Sequence, residues 1–182
     1  MTKKEMTEIF SVMMLVWPNA EMFKGGIQKL GPTINLWSLC LEDVDFWLGQ
    51  QAVVKLCKEC KFPPSIAEFK EKASDISRDM KYRIEQEWSY IRFRLEHGTP
   101  QEVFEQMRDG IAKQSIISIG GPDNLIVKDE HIYGDGRRVP YEHYNFDGFY
   151  QAYETILRQS SALMLGSSKA ASATTEQITG GK

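Results

Sequence analysis

Apolar residues recur at helical spacing along most of the first 107 positions of the chain. In the first segment they repeat at intervals of three and four, which places them on one face of a helix. Thr2 and Glu5 have the spacing of a capping box, and Pro18 should end the helix because the residue before a proline avoids the helical region. The members of the predicted apolar face are Met6, Ile9, Phe10, Met13, Val16 and Trp17.

Proline and glycine breaks divide the following segment into further short helices. Asp43 has the position of an N-cap, and Ser65 with Glu68 forms a second capping box. Four short helices joined by such breaks predict a compact all-α module over residues 1–73. The three helices predicted after the first cover residues 32–40, 43–60 and 65–72.

The second half of the chain is also predicted to be mainly helical. Residues 74–79 are polar and mixed in charge, so they are the expected domain boundary. The longest helix follows and carries a narrow apolar stripe, and Thr99 with Pro100 begins the next one. The stripe consists of Met80, Ile84, Trp88, Ile91 and Leu95, and the face of a final helix consists of Phe146, Phe149, Tyr150, Tyr153, Ile156 and Leu157.

Between these helices, helical periodicity lapses over residues 115–145. Two short apolar runs, 125–127 and 131–133, could form a small β-hairpin around 128–130, with Gly134-Asp135-Gly136 as a further turn. The fold class predicted is therefore mainly α: the N-terminal module, a second helical region over 74–165 with this insert, and a disordered tail over 166–182.

Charge and composition exclude several function classes. The chain has 182 residues, 26% of them charged, and a net charge of −3. Direct nucleic-acid binding should therefore be weak or absent, although Lys55, Lys58 and Lys61 leave open a small helical DNA-binding module with salt-sensitive affinity. No apolar run reaches the roughly 20 residues of a membrane span. Three cysteines without a signal peptide predict a reduced, cytoplasmic protein.

Candidate catalytic and metal-binding residues are few. Cys57 and Cys60 have the spacing of a zinc or redox pair, but a structural zinc site needs four ligands and no second pair exists. Both lie on the apolar helix face, so we interpret them as core residues, and a metal or redox role is the alternative. His131 and His143 lack a nucleophile partner. We predict no catalytic residue, no metal and no cofactor, hence no enzyme.

The strongest functional signal is aromatic. Tyrosine and arginine are the residue types enriched at protein-interaction hot spots, and both are concentrated in the irregular segment. We predict a partner-binding surface there; the alternative is that the aromatic residues fold back on the helical core. The predicted partner-binding residues are Tyr133, Arg137, Arg138, Tyr141, His143 and Tyr144, with Phe146 beside them.

A series of short motifs in the first part of the chain carries a family resemblance over roughly Lys3 to Lys72. The most specific motif is Phe62-Pro63-Pro64-Ser65-Ile66-Ala67-Glu68. Together the motifs resemble the phage loader-and-inhibitor proteins of the replicative DNA helicase. The others are Trp17-Pro18-Asn19, Leu36-Trp37 with Leu41, Asp43-x-Asp45-Phe46 and Ala52-Val53-x-x-Leu56.

The resemblance implies an all-helical N-terminal domain and a non-enzymatic protein that binds a hexameric helicase, holds it inactive and delivers it to an origin-bound protein. The family's helicase contacts are implied to lie in the C-terminal part, where no residue can be matched one by one. Helicase binding with inhibition, and loading in addition, is the leading hypothesis. The alternative is a phage-encoded inhibitor of a host CRISPR effector nuclease, an anti-CRISPR protein that blocks DNA binding or cleavage.

Overall fold

The structure is a computed structural model and describes residues 1–161 of the chain. The described part is mainly helical with one two-stranded antiparallel sheet, which confirms the predicted fold class. The described residues form two units, the first Met1–Lys81 and the second beginning at Tyr82. The elements are α1 (Lys3–Val16), α2 (Gly31–Cys40), α3 (Phe46–Glu59), α4 (Ile66–Leu95), α5 (Pro100–Gln106), α6 (Gly110–Ser118), β1 (Ile126–Ile132), β2 (Arg138–Tyr144) and α7, which is helical over 146–161.

The first unit is built on a buried aromatic chain. Phe10 of α1 meets Trp37 of α2 edge to face, with ring centroids 5.2 Å apart. Trp37 in turn meets Phe69 of α4 at 5.7 Å, and Phe23 packs on Phe10 at 6.1 Å. Edge-to-face pairs add to the stabilisation from burial alone. The predicted capping box of Thr2 and the expected end of α1 at Trp17 are both present.

The N-cap of α3 differs from the prediction. Asp45, not Asp43, caps the helix, and its carboxylate accepts from the backbone N–H of Trp47 at 3.0 Å. Asp43 instead pairs with Lys70 of α4, whose Nζ lies 2.9 Å away. Both aspartates precede an apolar run at capping distance, so their spacing alone could not distinguish them.

The predicted end of a short helix at residue 72 is wrong, because residues 74–79, the expected domain boundary, lie inside α4, a continuous helix of 30 residues. The Ser65–Glu68 capping box does precede it. No glycine or proline interrupts α4, and its buried residues keep a spacing of three or four throughout. The polar residues of the supposed boundary occupy the other faces of the helix. The buried series is Phe69, Ala73, Ile76, Met80, Ile84, Trp88 and Ile91.

The second unit contains one helix that the sequence did not reveal. α6 begins at the N-cap Asp109 and buries Ala112 and Ile116. Its isoleucines lie on several faces and its first residue is Gly110, so no amphipathic stripe marks it. α5 begins at Pro100 as predicted, and Thr99 and Glu102 form a capping box there.

The hairpin is present, but the predicted strand positions are wrong. Residues 128–130, expected to turn, lie in the middle of β1, and the two predicted runs are parts of that single strand. The turn lies instead at Gly134-Asp135-Gly136. Buried and exposed positions do not alternate along β1, so the usual period-two signal of a half-buried strand is missing.

Two further sequence predictions concern the tail and the membrane. The tail predicted as disordered, 166–182, lies outside the described residues. Among residues 1–161, no helix has the length and apolar character needed to cross a membrane.

A candidate protein-interaction ribbon

The candidate site is a two-stranded ribbon, defined as residues 126–144 and comprising β1, its turn and β2. Each strand has seven residues, so the ribbon is roughly 20 Å long. All residues from 128 to 144 are exposed to solvent. The ribbon therefore contributes little to the core of the second unit.

A three-residue loop closes the ribbon. The N–H of Tyr133 donates to the carbonyl of Arg137 at 2.9 Å, and the N–H of Gly136 donates to the carbonyl of Tyr133 at 2.9 Å. Gly136 has φ +81°, a conformation that favours glycine. Asp135 accepts from the backbone N–H of Arg137 at 3.1 Å and from its Nε at 2.7 Å, and the backbone bond in particular holds the pKa of the Asp135 carboxyl below its ordinary value. These bonds match a type I turn followed by a left-handed residue.

The strand register separates the side chains onto two faces. Directly opposite residues share a face, and alternate residues along a strand point to opposite sides. Asp129 opposes Tyr141, whereas Lys128 opposes Glu142. We call the two sides the aromatic face (Val127, Asp129, His131, Tyr133, Arg137, Val139, Tyr141 and His143) and the charged face (Ile126, Lys128, Glu130, Ile132, Arg138, Pro140, Glu142 and Tyr144).

On the aromatic face, rings and a guanidinium contact one another along and across the strands. His131 meets Tyr133 at 4.6 Å between ring centroids, and Tyr141 stacks with His143 at 5.7 Å. The guanidinium of Arg137 lies over the Tyr133 ring at 5.4 Å. The Tyr141 hydroxyl donates to Asp129 at 3.3 Å, and the negative charge of Asp129 raises the pKa of that phenol.

The charged face is self-paired. The Nζ of Lys128 lies 3.4 Å from the Glu142 carboxylate, and Arg138 Nη1 lies 3.4 Å from the Glu130 carboxylate. Such exposed pairs stabilise the ribbon only slightly. They do leave this face with its charges already matched, so it offers less to a partner than the aromatic face.

The base of the ribbon is anchored in the second unit. Tyr144 meets Trp88 of α4 at 6.5 Å, and Phe146 meets the same indole at 5.5 Å. The side chain of Asn145 donates to the carbonyl of Asn124 at 2.9 Å, and its backbone N–H donates to the carbonyl of Leu125 at 3.0 Å. An isolated hairpin is marginally stable, so this anchor is what supports the exposed strands.

Each outer edge of the ribbon has one outward backbone position that cannot donate to an added strand. The bonds at the two ends pair residue 133 with 137 and residue 145 with 125, so the alternate positions direct their backbone groups outwards. In β1 the outward N–H of Glu130 donates to the Asp129 carboxylate at 2.8 Å. In β2 the outward position 140 is a proline, which has no N–H. Both features disfavour strand addition at these two positions.

Four of the six predicted partner-binding residues share the aromatic face: Tyr133, Arg137, Tyr141 and His143. The structure places Arg138 and Tyr144 on the charged face. For Tyr144 and Phe146 the alternative, packing back on the core, describes the contact with Trp88. Sequence reasoning did not include Val127, Asp129, His131 and Val139, which the correct strand register would have added.

The charge of the ribbon does not suit nucleic acid. Three basic residues stand against four acidic ones, which leaves a net charge of −1 over residues 126–144. Phosphate recognition needs an excess of positive charge. The mixture of tyrosine, histidine, valine and arginine instead has the composition of a protein contact surface.

Cys57 and Cys60 pack against the hydrophobic core of the first unit and are half-buried. Burial raises the pKa of the Cys57 thiol, and the neighbouring Cys60 adds to this, so both effects disfavour the reactive thiolate. Within residues 1–161 no group of three histidine, cysteine or acidic side chains could hold a metal ion.

Comparison with known families concerns the first unit, where Trp17-Pro18 ends α1 and the Ser65–Glu68 box begins α4. Residues 1–70 match the N-terminal domain of a phage helicase loader and inhibitor protein. The family resemblance stated from the motifs is confirmed. The matched region ends before the second unit and does not include the ribbon. No curated protein and no solved structure matches the chain.

Proposed function

We propose that this chain binds the replicative DNA helicase through protein contacts and inhibits it, and that the aromatic face of the ribbon is the contact surface. The match of residues 1–70 to the loader and inhibitor family supports the choice of partner. The observation that carries the choice of surface is the exposure of Tyr133 and Tyr141, each 45% accessible in a ribbon that its own core does not need.

The composition of the aromatic face suits a hot spot. Tyrosine buries a large, rigid area with little loss of side-chain entropy, and arginine is likewise enriched at hot spots. Tyr133 and Arg137 are already held together by their ring contact, and Asp135 fixes the guanidinium from the other side. Such preorganisation lowers the entropic cost of binding. No step of this function needs a catalytic residue, in keeping with a loader and inhibitor.

Binding and inhibition are tested with the purified full chain and a hexameric replicative helicase of the host bacterium. Biolayer interferometry gives the affinity, and phosphate release gives the ATPase rate of the helicase. We expect binding, with a fall in the ATPase rate as the chain is added. The triple variant Tyr133→Ala/Arg137→Ala/Tyr141→Ala should lower the affinity at least about tenfold, because it removes three hot-spot side chains.

The matched control is Lys128→Ala/Glu142→Ala, which removes a self-satisfied pair from the charged face. It should change the affinity by less than about threefold, since exposed ion pairs are weak. Equal losses of affinity in both variants would show that binding depends on the folding of the ribbon and not on the side chains of the aromatic face. If the wild-type chain neither binds nor inhibits the helicase, the function is wrong, and suppression of DNA cleavage by a CRISPR effector nuclease becomes the next assay. Loading is scored separately, as delivery of helicase to single-stranded DNA.

A further inference from the structure

The first unit has a cleft that the ribbon hypothesis does not use. Its volume is about 600 Å³, within the range of ligand-binding clefts. The residues that line it come from the end of α1 and from the segment after α3. They include Trp17, Pro18, Met22, Lys61, Phe62 and Pro63.

Two proline breaks form this cleft. Pro18 ends α1 just after Trp17, and Pro63 follows the end of α3, so both chain segments leave their helices at the same place. Trp17 is only 8% accessible and contributes buried apolar surface. Phe62, in contrast, is 71% accessible, an unusual exposure for a phenylalanine beside a cleft.

An apolar strip on α1 continues from the cleft. Val12, Leu15 and Val16 are all exposed, and Leu15 is 83% accessible. Their spacing of three and four places them on one face of the helix. Val16 also lines the cleft, so the strip and the cleft form one apolar surface.

Two charged side chains, Lys61 and Glu21, line the cleft, and because Glu21 pairs with Lys24 the charge left unmatched there is positive. Lys61 lines the cleft with its Nζ 5.7 Å from the Phe62 ring centroid, and Lys58 and Lys55 precede it on α3 at steps of three. No carboxylate of the described residues forms an ion pair with any of these lysines. The nearby carboxylates are engaged elsewhere, as Glu21 pairs with Lys24 and Glu59 pairs with Lys72 at 2.7 Å.

We infer that this cleft binds an acidic segment of a partner protein that carries large apolar side chains. An apolar side chain fills the cleft against Trp17 and Phe62, and the acidic residues beside it meet Lys58 and Lys61. Phe62 is an exposed ring, but Trp17 is only 8% accessible and Val12 and Leu15 are aliphatic, so successive bases find no row of rings to stack on. The observations therefore favour a peptide over single-stranded nucleic acid. The cleft lies in the first unit and the ribbon in the second, so either site can fail without the other.

The test is a selection of random twelve-residue peptides, displayed on phage, against the immobilised full chain. Peptides that also bind the Phe62→Ala variant are removed. We expect the enriched peptides to carry leucine or aromatic residues and a net charge of −2 or lower, on the order of two to three acidic side chains each. Fluorescence anisotropy then measures one enriched peptide, which should bind at least about tenfold more weakly to Phe62→Ala and to Lys58→Glu/Lys61→Glu.

Controls of matched chemistry lie outside the cleft. Leu39→Ala removes another exposed apolar side chain, and Lys4→Glu reverses a charge at the opposite end of α1; neither should change the affinity by more than about threefold. Added NaCl should weaken binding of the acidic peptide. The inference is overturned if no peptide is enriched, if the enriched peptides are neutral or basic, or if a twelve-nucleotide thymidine strand binds in their place and competes with them.

Discussion

The hydroxyl of Tyr153 donates to the carboxylate of Asp109 at 3.4 Å and so connects α7 to the first turn of α6. Arg83 Nη2 donates to the same carboxylate oxygen at 3.0 Å, and its guanidinium lies over the Tyr153 ring. The other oxygen of Asp109 accepts from the N–H of Ala112 at 2.8 Å and caps α6. Both carboxylate oxygens are thus engaged, so Asp109 joins three helices of the second unit.

Replacing Asp109 should weaken the second unit in an acid-dependent way. Burial alone would raise the pKa of the Asp109 carboxyl, but the Ala112 N–H and Arg83 outweigh it, so the pKa is lowered. The resulting stability is present above the unfolded pKa of about 4 and is lost as the pH falls through the lower folded value. Asp109→Asn should cost about 1 kcal/mol at pH 7, and this difference should shrink below pH of about 4.

Urea unfolding followed by circular dichroism between pH 3 and 7 measures this effect. The comparison is best made in a Glu87→Gln background, because burial raises the pKa of the Glu87 carboxyl and its contribution has the opposite pH dependence. Asp109→Ala should cost about 1 kcal/mol more than Asp109→Asn, since it also removes the N-cap. A pH-independent difference between wild type and Asp109→Asn would contradict the ion-pair assignment.

Tyr153→Phe should alter the alkaline limb of the stability curve. Burial, together with the charge of Asp109, raises the pKa of Tyr153 to about 12. The neutral phenol is favoured in the folded state, so its contribution is complete below the unfolded pKa of about 10 and is lost as the pH rises through the folded value. Ionisation of Tyr153 should add an increase in absorbance at 295 nm, centred near pH 12, to the titration of the wild type. The titration of Tyr153→Phe should lack this increase. If the absorbance increase that the variant lacks is instead centred near pH 10, the folded structure does not protect the Tyr153 phenol from ionisation.

Gly136→Ala tests the loop that closes the ribbon. The substitution forces a side chain into φ +81° although no atom lies within 4 Å of the new Cβ, so any cost is purely one of backbone conformation. We expect about 1 kcal/mol, confined to the ribbon. Amide hydrogen exchange should become faster in β1 and β2 while the melting temperature hardly changes. Gly134→Ala is the control, because its surroundings are equally open and its φ is not positive.

Asp129 and Pro140 each take one outward N–H away from an edge of the ribbon, so replacing both residues should open these edges. Asp129→Ala/Pro140→Thr releases the Glu130 N–H in β1 and creates an outward N–H in β2. Exposed strand edges pair with one another, so the double variant should form dimers or larger species at concentrations where the wild type does not. Size-exclusion chromatography with light scattering measures this. Glu142→Ala, which leaves the backbone groups unchanged, should elute as the wild type does.

Local signals in the sequence predicted most of the helices. The Thr2 and Ser65 capping boxes depend only on residues three positions apart, and both formed. The exception at Asp43 needed tertiary information, because Lys70 of a later helix engages that carboxylate. The polar composition of residues 74–79 resembles a break and so hides the continuity of α4. A helix is better expected to end at glycine, at proline or where the spacing of apolar residues lapses.

The candidate site was predicted by residue type but not by geometry. Tyrosine and arginine drew attention to the segment that forms the ribbon, yet the two faces follow from the pairing of Asp129 with Tyr141, which no local pattern encodes. Register is specified weakly wherever neither face of a strand is buried. The contact of Tyr144 with Trp88 joins residues far apart in the chain and was likewise beyond the sequence pattern.

The exposure of residues 128–144 has an evolutionary consequence. Side chains that add little to the free energy of folding can be exchanged without loss of the protein, so the fold hardly constrains mutation there. The anchor at Trp88 and the turn at Gly136 should then stay constant among relatives while the aromatic face diverges. The side chains of the aromatic face could thus change in evolution while the fold of the second unit is kept.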